Sequence, residues 1–166
     1  MQKIIKSVVL ACCMLLMSGS LALADGPKKT LPGELTLEQA QKVLKAAVAK
    51  AEEIKVPMNI SVVDSGGNLK AFYRMDDAFI GSVDISMKKA VTARYFNMPT
   101  RALGAASQVG APLYGIEVSN NGLIIFAGGV LLVDKNNVII GAIGVSGGSV
   151  DEDESVAMAG AKVLAK

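Results

Sequence analysis

An α+β fold, with one antiparallel sheet and helices packed on it, is what this chain of 166 residues predicts. Two patterns carry that expectation. Apolar runs of strand length are joined by hairpin turn signals, Asp64-Ser65-Gly66-Gly67-Asn68 and Asp134-Lys135-Asn136-Asn137. Flanking them are segments whose apolar residues return every three or four positions, the period of a helix lying on a core.

Residues 1–24 are read apart from that fold. Lys3 and Lys6 give a positive start, Ser7 to Met17 is almost wholly apolar, and Ser18-Gly19-Ser20 precedes the small-x-small site Ala22-Leu23-Ala24. This is the layout of a signal peptide cut after Ala24, which makes the protein periplasmic or secreted and leaves no stable membrane insertion. An uncleaved anchor is the competing reading, because Ser7 to Ala24 is close to the minimum length for spanning. Lipid attachment at Cys12 is a third, poorly supported by Val9-Leu10-Ala11 before it. Residues 25–34 are a polar lead-in, and residues 35–166 form the domain.

Thr36-Leu37-Glu38-Gln39 is a capping box that opens the first helix. Leu37, Ala40, Val43, Leu44, Ala47, Val48, Ala51 and Ile54 form its apolar stripe, and Pro57 ends it. Met58 to Val63 and Leu69 to Met75 are strands joined by the first hairpin turn. A helix from about Ser82 to Asn97 stops before Pro99, and Thr100 caps a short helix ending near Gly110. Residues 111–122 are irregular. Leu123 to Phe126, Val130 to Val133 and Val138 to Val145 supply two or three further strands, and residues 149–166 the last helix.

Removal of the signal peptide narrows the chemistry. Cys12 and Cys13 leave with it and the chain has no histidine, so the exported domain has no thiol, disulfide or imidazole. Ser-His-Asp and Cys-His catalysis and His-ligated zinc are excluded on those grounds. Loss of Lys3 and Lys6 takes the 17 basic residues to 15, equal to the 15 acidic ones. A neutral domain has no electrostatic footprint for nucleic acid.

The stretch GAIGVSGGSVDEDESVAMAG poses a puzzle. A glycine loop opening a helix is a ready cradle for an anion, yet Asp151 to Glu154 are four acids in a row. Ser149 and Glu152 read as a second capping box, so the acids fill the helix end themselves. Ser146, Gly147 and Gly148 remain candidates to offer backbone N–H groups to a ligand, the glycines by positive φ or by close approach. In the second helix Ile80, Val83, Met87, Ala90, Val91 and Arg94 share one stripe. Arg94 there either reaches the carbonyls ending its helix or binds a carboxylate in a cleft. Lys89 lies off that stripe and reads as a solvated lysine. Asp64, Asp76 and Asp77 are turn formers before they are metal ligands.

The blocks SVVDSGGNLKAFYRMDD, GSVDISMKKAVTARYFNMPT and GAIGVSGGSVDEDESVAMAG, in that order, resemble the signature segments of the GlcG/HbpS-like family. The likeness covers nearly all of residues 35–166. It implies a profilin-like fold of five antiparallel strands flanked by helices, assembly into homo-oligomers, and haem or a related tetrapyrrole as cofactor. It further implies haem or iron sensing beside a sensor protein. Haem iron takes His, Cys, Met or Tyr, and here only Tyr73, Tyr95, Tyr114 and the methionines remain. Tyr95, Met98, Thr100 and Arg101 cluster after the second helix, and with Arg94, Ser146, Gly147 and Gly148 they form the expected cofactor-binding set. An organic-acid enzyme, using Arg94, Lys89 and N–H groups near Ser146 with Asp64 as base, is the alternative, as is an accessory protein of a metabolic or signalling system.

Processing is directly testable: exported protein sequenced from its N-terminus is expected to begin at Asp25. A first residue before Ala24, or lipid on Cys12, refutes that order of events.

Overall fold

The computed structural model describes residues 33–164, so the signal segment and most of the lead-in lie outside the described residues. Helix α1 (Leu37–Glu53) opens on the expected box: Thr36 Oγ1 accepts the Gln39 N–H at 3.1 Å, and Gln39 Oε1 accepts the Thr36 N–H at 2.9 Å. It ends earlier than Pro57 requires. Lys55 takes a left-handed conformation (φ 58°), and the N–H groups of Val56 and Lys55 turn back to the Ala51 and Glu52 carbonyls. That is the usual glycine stop, built here on a lysine.

Strands β1 (Asn59–Asp64) and β2 (Leu69–Arg74) form the expected hairpin. Asp64 Oδ1 closes its turn by accepting the N–H groups of Gly66 and Asn68 at 2.8 and 2.9 Å, and Gly67 sits at φ 80°. Helix α2 (Ser82–Phe96) ends at Asn97 in the left-handed region, and α3 (Thr100–Ala106) follows at once. Thr100 does not cap α3. Its Oγ1 instead accepts the Gly129 N–H at 2.9 Å, at the start of β3 (Gly129–Val133). Strand β4 (Ile139–Ser146) and helix α4 (Val150–Ala161) complete the described chain.

The sheet has four strands in the order β2-β1-β4-β3, every pair antiparallel. The fifth expected strand is missing among the described residues. Leu123 to Phe126 makes no strand ladder, and the Ile124 N–H is taken by Thr92 Oγ1 at 3.1 Å. A side-chain acceptor on α2 thus replaces the neighbouring strand that four apolar residues suggested.

The two sheet faces are packed by different means. On one, Ile60, Val62, Ile143 and Val145 meet Val43, Ala47 and Ala51 of α1 and Val156 and Ala157 of α4, all buried. The other carries α2 and is lined by small residues. A Cβ on Gly144 would lie 2.0 Å from the Ser86 carbonyl oxygen, and one on Gly129 would lie 2.5 Å from the Lys89 carbonyl oxygen. The helix therefore rides on the sheet backbone to backbone. This close seating also rotates α2 away from its expected stripe: Ser82, Ser86, Lys89 and Ala93 face inward, while Ile80 is 76% exposed.

Gly144→Ala is expected to lower stability by about 1–3 kcal/mol, because the opposing atoms are backbone and the helix must lift. Gly81→Ala is the control: its φ is −61° and nothing lies within 4 Å of the added carbon, so urea unfolding should show no loss. Equal tolerance at both sites would show that α2 does not sit where close backbone contact puts it.

Candidate functional site

A buried ion pair joins α2 to the first turn of α4. Lys89 is 0% exposed, and its Nζ donates to Asp153 Oδ2 at 2.7 Å and to the Val145 carbonyl at 2.8 Å. The Phe126 ring lies 4.8 Å from the ammonium and completes its shell with a cation–π contact. The other Asp153 oxygen accepts the Gly148 N–H at 3.0 Å. Burial pushes the Lys89 ammonium down from its ordinary range and the Asp153 carboxyl up, and the contact between them opposes both shifts. The expectation of a solvated Lys89 is therefore corrected. The small residues at 82, 86 and 93 hold the clue, since a lysine in line with them lies on the face closest to the sheet.

The four acids of the α4 start are each accounted for. Glu152 completes the capping box with Ser149: its Oε2 accepts the Ser149 N–H at 2.8 Å, and Ser149 Oγ accepts the Glu152 N–H at 3.4 Å. Asp153 takes Lys89. Asp151 and Glu154 both accept from Arg101, at 2.5 and 2.7 Å. The loop before them is similarly engaged. The Ser146 hydroxyl donates to Ser82 Oγ at 3.1 Å, and the Gly148 N–H is held by Asp153. Neither Gly147 nor Gly148 has a positive φ; they are required by close approach, since a Cβ on Gly147 would lie 2.4 Å from the Pro57 carbonyl oxygen.

The expected site residues fall into two neighbourhoods. Arg101, Gly147 and Gly148 hold the first turn of α4, while Thr100 ties α3 to β3 and Ser146 ties β4 to α2. Arg94, Tyr95 and Met98 close α2. Arg94 Nη1 donates to Asn97 Oδ1 at 2.5 Å while its buried Nε has no partner, and Tyr95 lies against Gly67 of the β1–β2 turn. The set invoked for organic-acid chemistry is not brought together, because Lys89 is spent on Asp153 and Asp64 on its own hairpin. Among the described residues no group of three or more acidic, Cys or His side chains is placed to hold a metal ion, and no helix is long and apolar enough to cross a membrane.

A feature the expected set omitted is a groove of about 430 Å³ between α1 and the edge strand β2. Leu44, Val48, Ala49 and Tyr73 form its apolar lining, with Gln41, Lys45 and Glu52 around them. Its size falls in the small-molecule range.

One helix seated directly on a four-stranded sheet, with a groove beside the first helix, defines the class: a small α+β domain with room for a small molecule at its edge. The chain belongs to the HbpS-like family, whose sequence profile, described as "Haem degrading protein HbpS-like", matches residues 35–162. An uncharacterised 15.0 kDa protein of the dhaT-dhaS intergenic region of Citrobacter freundii is 48% identical over 123 residues, covering 74% of this chain and 87% of that one. Among solved structures, the PduOC:heme complex has 33% identity and a TM-score of 0.75, covering 79% of this chain and 95% of that one. A double mutant of HbpS from Streptomyces reticuli has 37% identity and a TM-score of 0.73, covering 85% of this chain and 94% of that one.

Lys89→Met leaves Asp153 buried without its counter-charge and is expected to cost about 3–5 kcal/mol at neutral pH. Adding Asp153→Leu should recover much of it. The sign of the pH dependence follows from the raised Asp153 pKa. A carboxyl whose folded pKa exceeds its unfolded value makes the fold less stable as pH rises through that interval. Without Lys89 the burial that raises Asp153 is unopposed, so the deficit of the single variant against the parent should shrink as pH falls towards the ordinary carboxylate range of about 4. A deficit that grows on acidification in denaturant titrations would show Asp153 keeping its charge on other partners.

Proposed function

We propose that this protein is an exported haem-binding protein, or one binding a related tetrapyrrole, that works in haem or iron sensing. The observation that carries the reading is kinship with a domain crystallised with haem, at 33% identity across 79% of this chain. The available donors fit such a group in one way. With no His or Cys among the described residues, iron would be held by a tyrosine oxygen or a thioether, and the macrocycle by apolar burial. Export rests on the order of residues 1–24, and delivery outside the cytoplasmic membrane would place the protein where it can meet a sensor protein.

The same reading includes self-assembly into a homo-oligomer of profilin-like domains. It is supported by Phe79 and Ile80, 70% and 76% exposed, beside the half-buried Val83 and Met87 of α2. Apolar side chains gathered in this way are better covered by protein than by water.

Titration of the purified protein with haemin is expected to give a saturable shift of the Soret band, with an unrelated neutral protein as the blank. Ready transfer of the bound haem to apomyoglobin should follow, because no imidazole or thiolate anchors the iron. An absence of saturation would refute the haem reading.

A further inference from the structure

We infer that the groove between α1 and β2 is the seat of the macrocycle, with Tyr73 as the iron ligand. The inference rests on the haem reading above and gives that reading a location.

The groove is built by periodicity. Gln41, Leu44, Lys45, Val48, Ala49 and Glu52 are spaced by three and four residues, so they form one continuous stripe over three turns of α1. That stripe spans about 16 Å by the helical rise. It lies next to the buried stripe of Ala40, Val43, Ala47 and Ala51, so the groove floor continues the core outward. Leu44 and Val48 are half-buried apolar groups at its centre, a wall suited to a flat, apolar face.

Tyr73 closes the opposite side. It pairs with Ile60 across the hairpin, and directly paired residues of an antiparallel ladder share a face, so it projects on the same side as the core. Being on the edge strand, it extends past the core and remains 47% exposed. Among the described residues its hydroxyl has no hydrogen-bond partner. A tyrosine half in water on a wall of apolar groups, with its oxygen unengaged, is the available hard donor for ferric iron at this groove. Coordination forms an Fe–O bond, releases the phenol proton to water and leaves the iron ferric.

Charge orients the ligand. A porphyrin carries its propionates at one edge, and of the two charged residues on the groove exposed Lys45 would receive a carboxylate while Glu52, two turns further along α1, would turn one away. The neighbourhoods named from sequence offer less. Arg101 already holds two carboxylates, and Tyr95 packs its ring on a turn glycine.

The test is haemin titration of the whole purified protein and four variants: Tyr73→Phe, Val48→Glu, Lys45→Ala and Tyr95→Phe. Melting curves confirm that each is folded. Tyr73→Phe should lose the charge-transfer band of tyrosinate-bound ferric haem and bind at least about tenfold more weakly, the scale on which weakened support of a metal costs affinity. Val48→Glu should weaken binding similarly, Lys45→Ala by less, and Tyr95→Phe not at all. Saturable binding that survives Tyr73→Phe and Val48→Glu overturns the groove while leaving the haem reading standing. Loss in Tyr95→Phe with Tyr73→Phe unaffected moves the seat to the end of α2 and also overturns the inference. No saturation in the parent protein overturns the haem reading, and the groove assignment with it.

Discussion

The Lys89–Asp153 pair ties three elements together at one fully buried point. The ammonium comes from the middle of α2, one acceptor is a β4 carbonyl, and the carboxylate belongs to the first turn of α4. Helices α2 and α4 lie on opposite faces of the sheet, so the pair crosses its end like a bolt. Both charges are removed from water, an arrangement that persists only when every remaining donor and acceptor is engaged. Here Val145, the Gly148 N–H and the Phe126 ring complete that engagement. The pair also fixes the loop of residues 146–148, whose glycines allow the close approach that brings Asp153 inward.

Local signals in the sequence were reliable where chemistry is local. Both capping boxes, the Asp64 turn and the order of helices and strands follow from residues within a few positions of one another. What the sequence concealed depends on partners far along the chain. Lys89 looks solvated because its carboxylate lies 64 positions away. The inward face of α2 looks polar, since Ser82 and Ser86 are matched to other buried serines, Ser146 and Ser61, across the sheet. Leu123 to Phe126 has strand composition, yet a threonine on α2 satisfies its backbone and Gly104 lets α3 press against its Ile125 carbonyl.

The candidate site was legible in the same uneven way. The eight expected residues were chosen for type and proximity in sequence, and five of them are engaged in internal contacts between elements, three with α4 and two with β3 and α2. A run of acids at a helix start read as a puzzle about ligands, and its members are spent on the protein itself. The groove was missed because a stripe of Leu44, Val48 and Ala49 is indistinguishable from the flank of a core stripe until the width of the sheet is known. The sheet is narrow there, with β2 at its border, and so the flank is left uncovered.

That border has a consequence for the company the molecule keeps. An outer strand exposes a row of unpaired amide and carbonyl groups on which stray chains can polymerise. On β2, Lys70 and Arg74 stand on either side of the aromatic pair Phe72 and Tyr73. Lys70 is already tethered to Glu34 at 3.1 Å, and Arg74 reaches into solvent. A second β2 arriving edge to edge in the antiparallel sense would bring Arg74 towards the cations of its twin, and two like charges would lose water for no return. The strand thus keeps its aromatic side chains exposed while discouraging fibrous growth along the sheet.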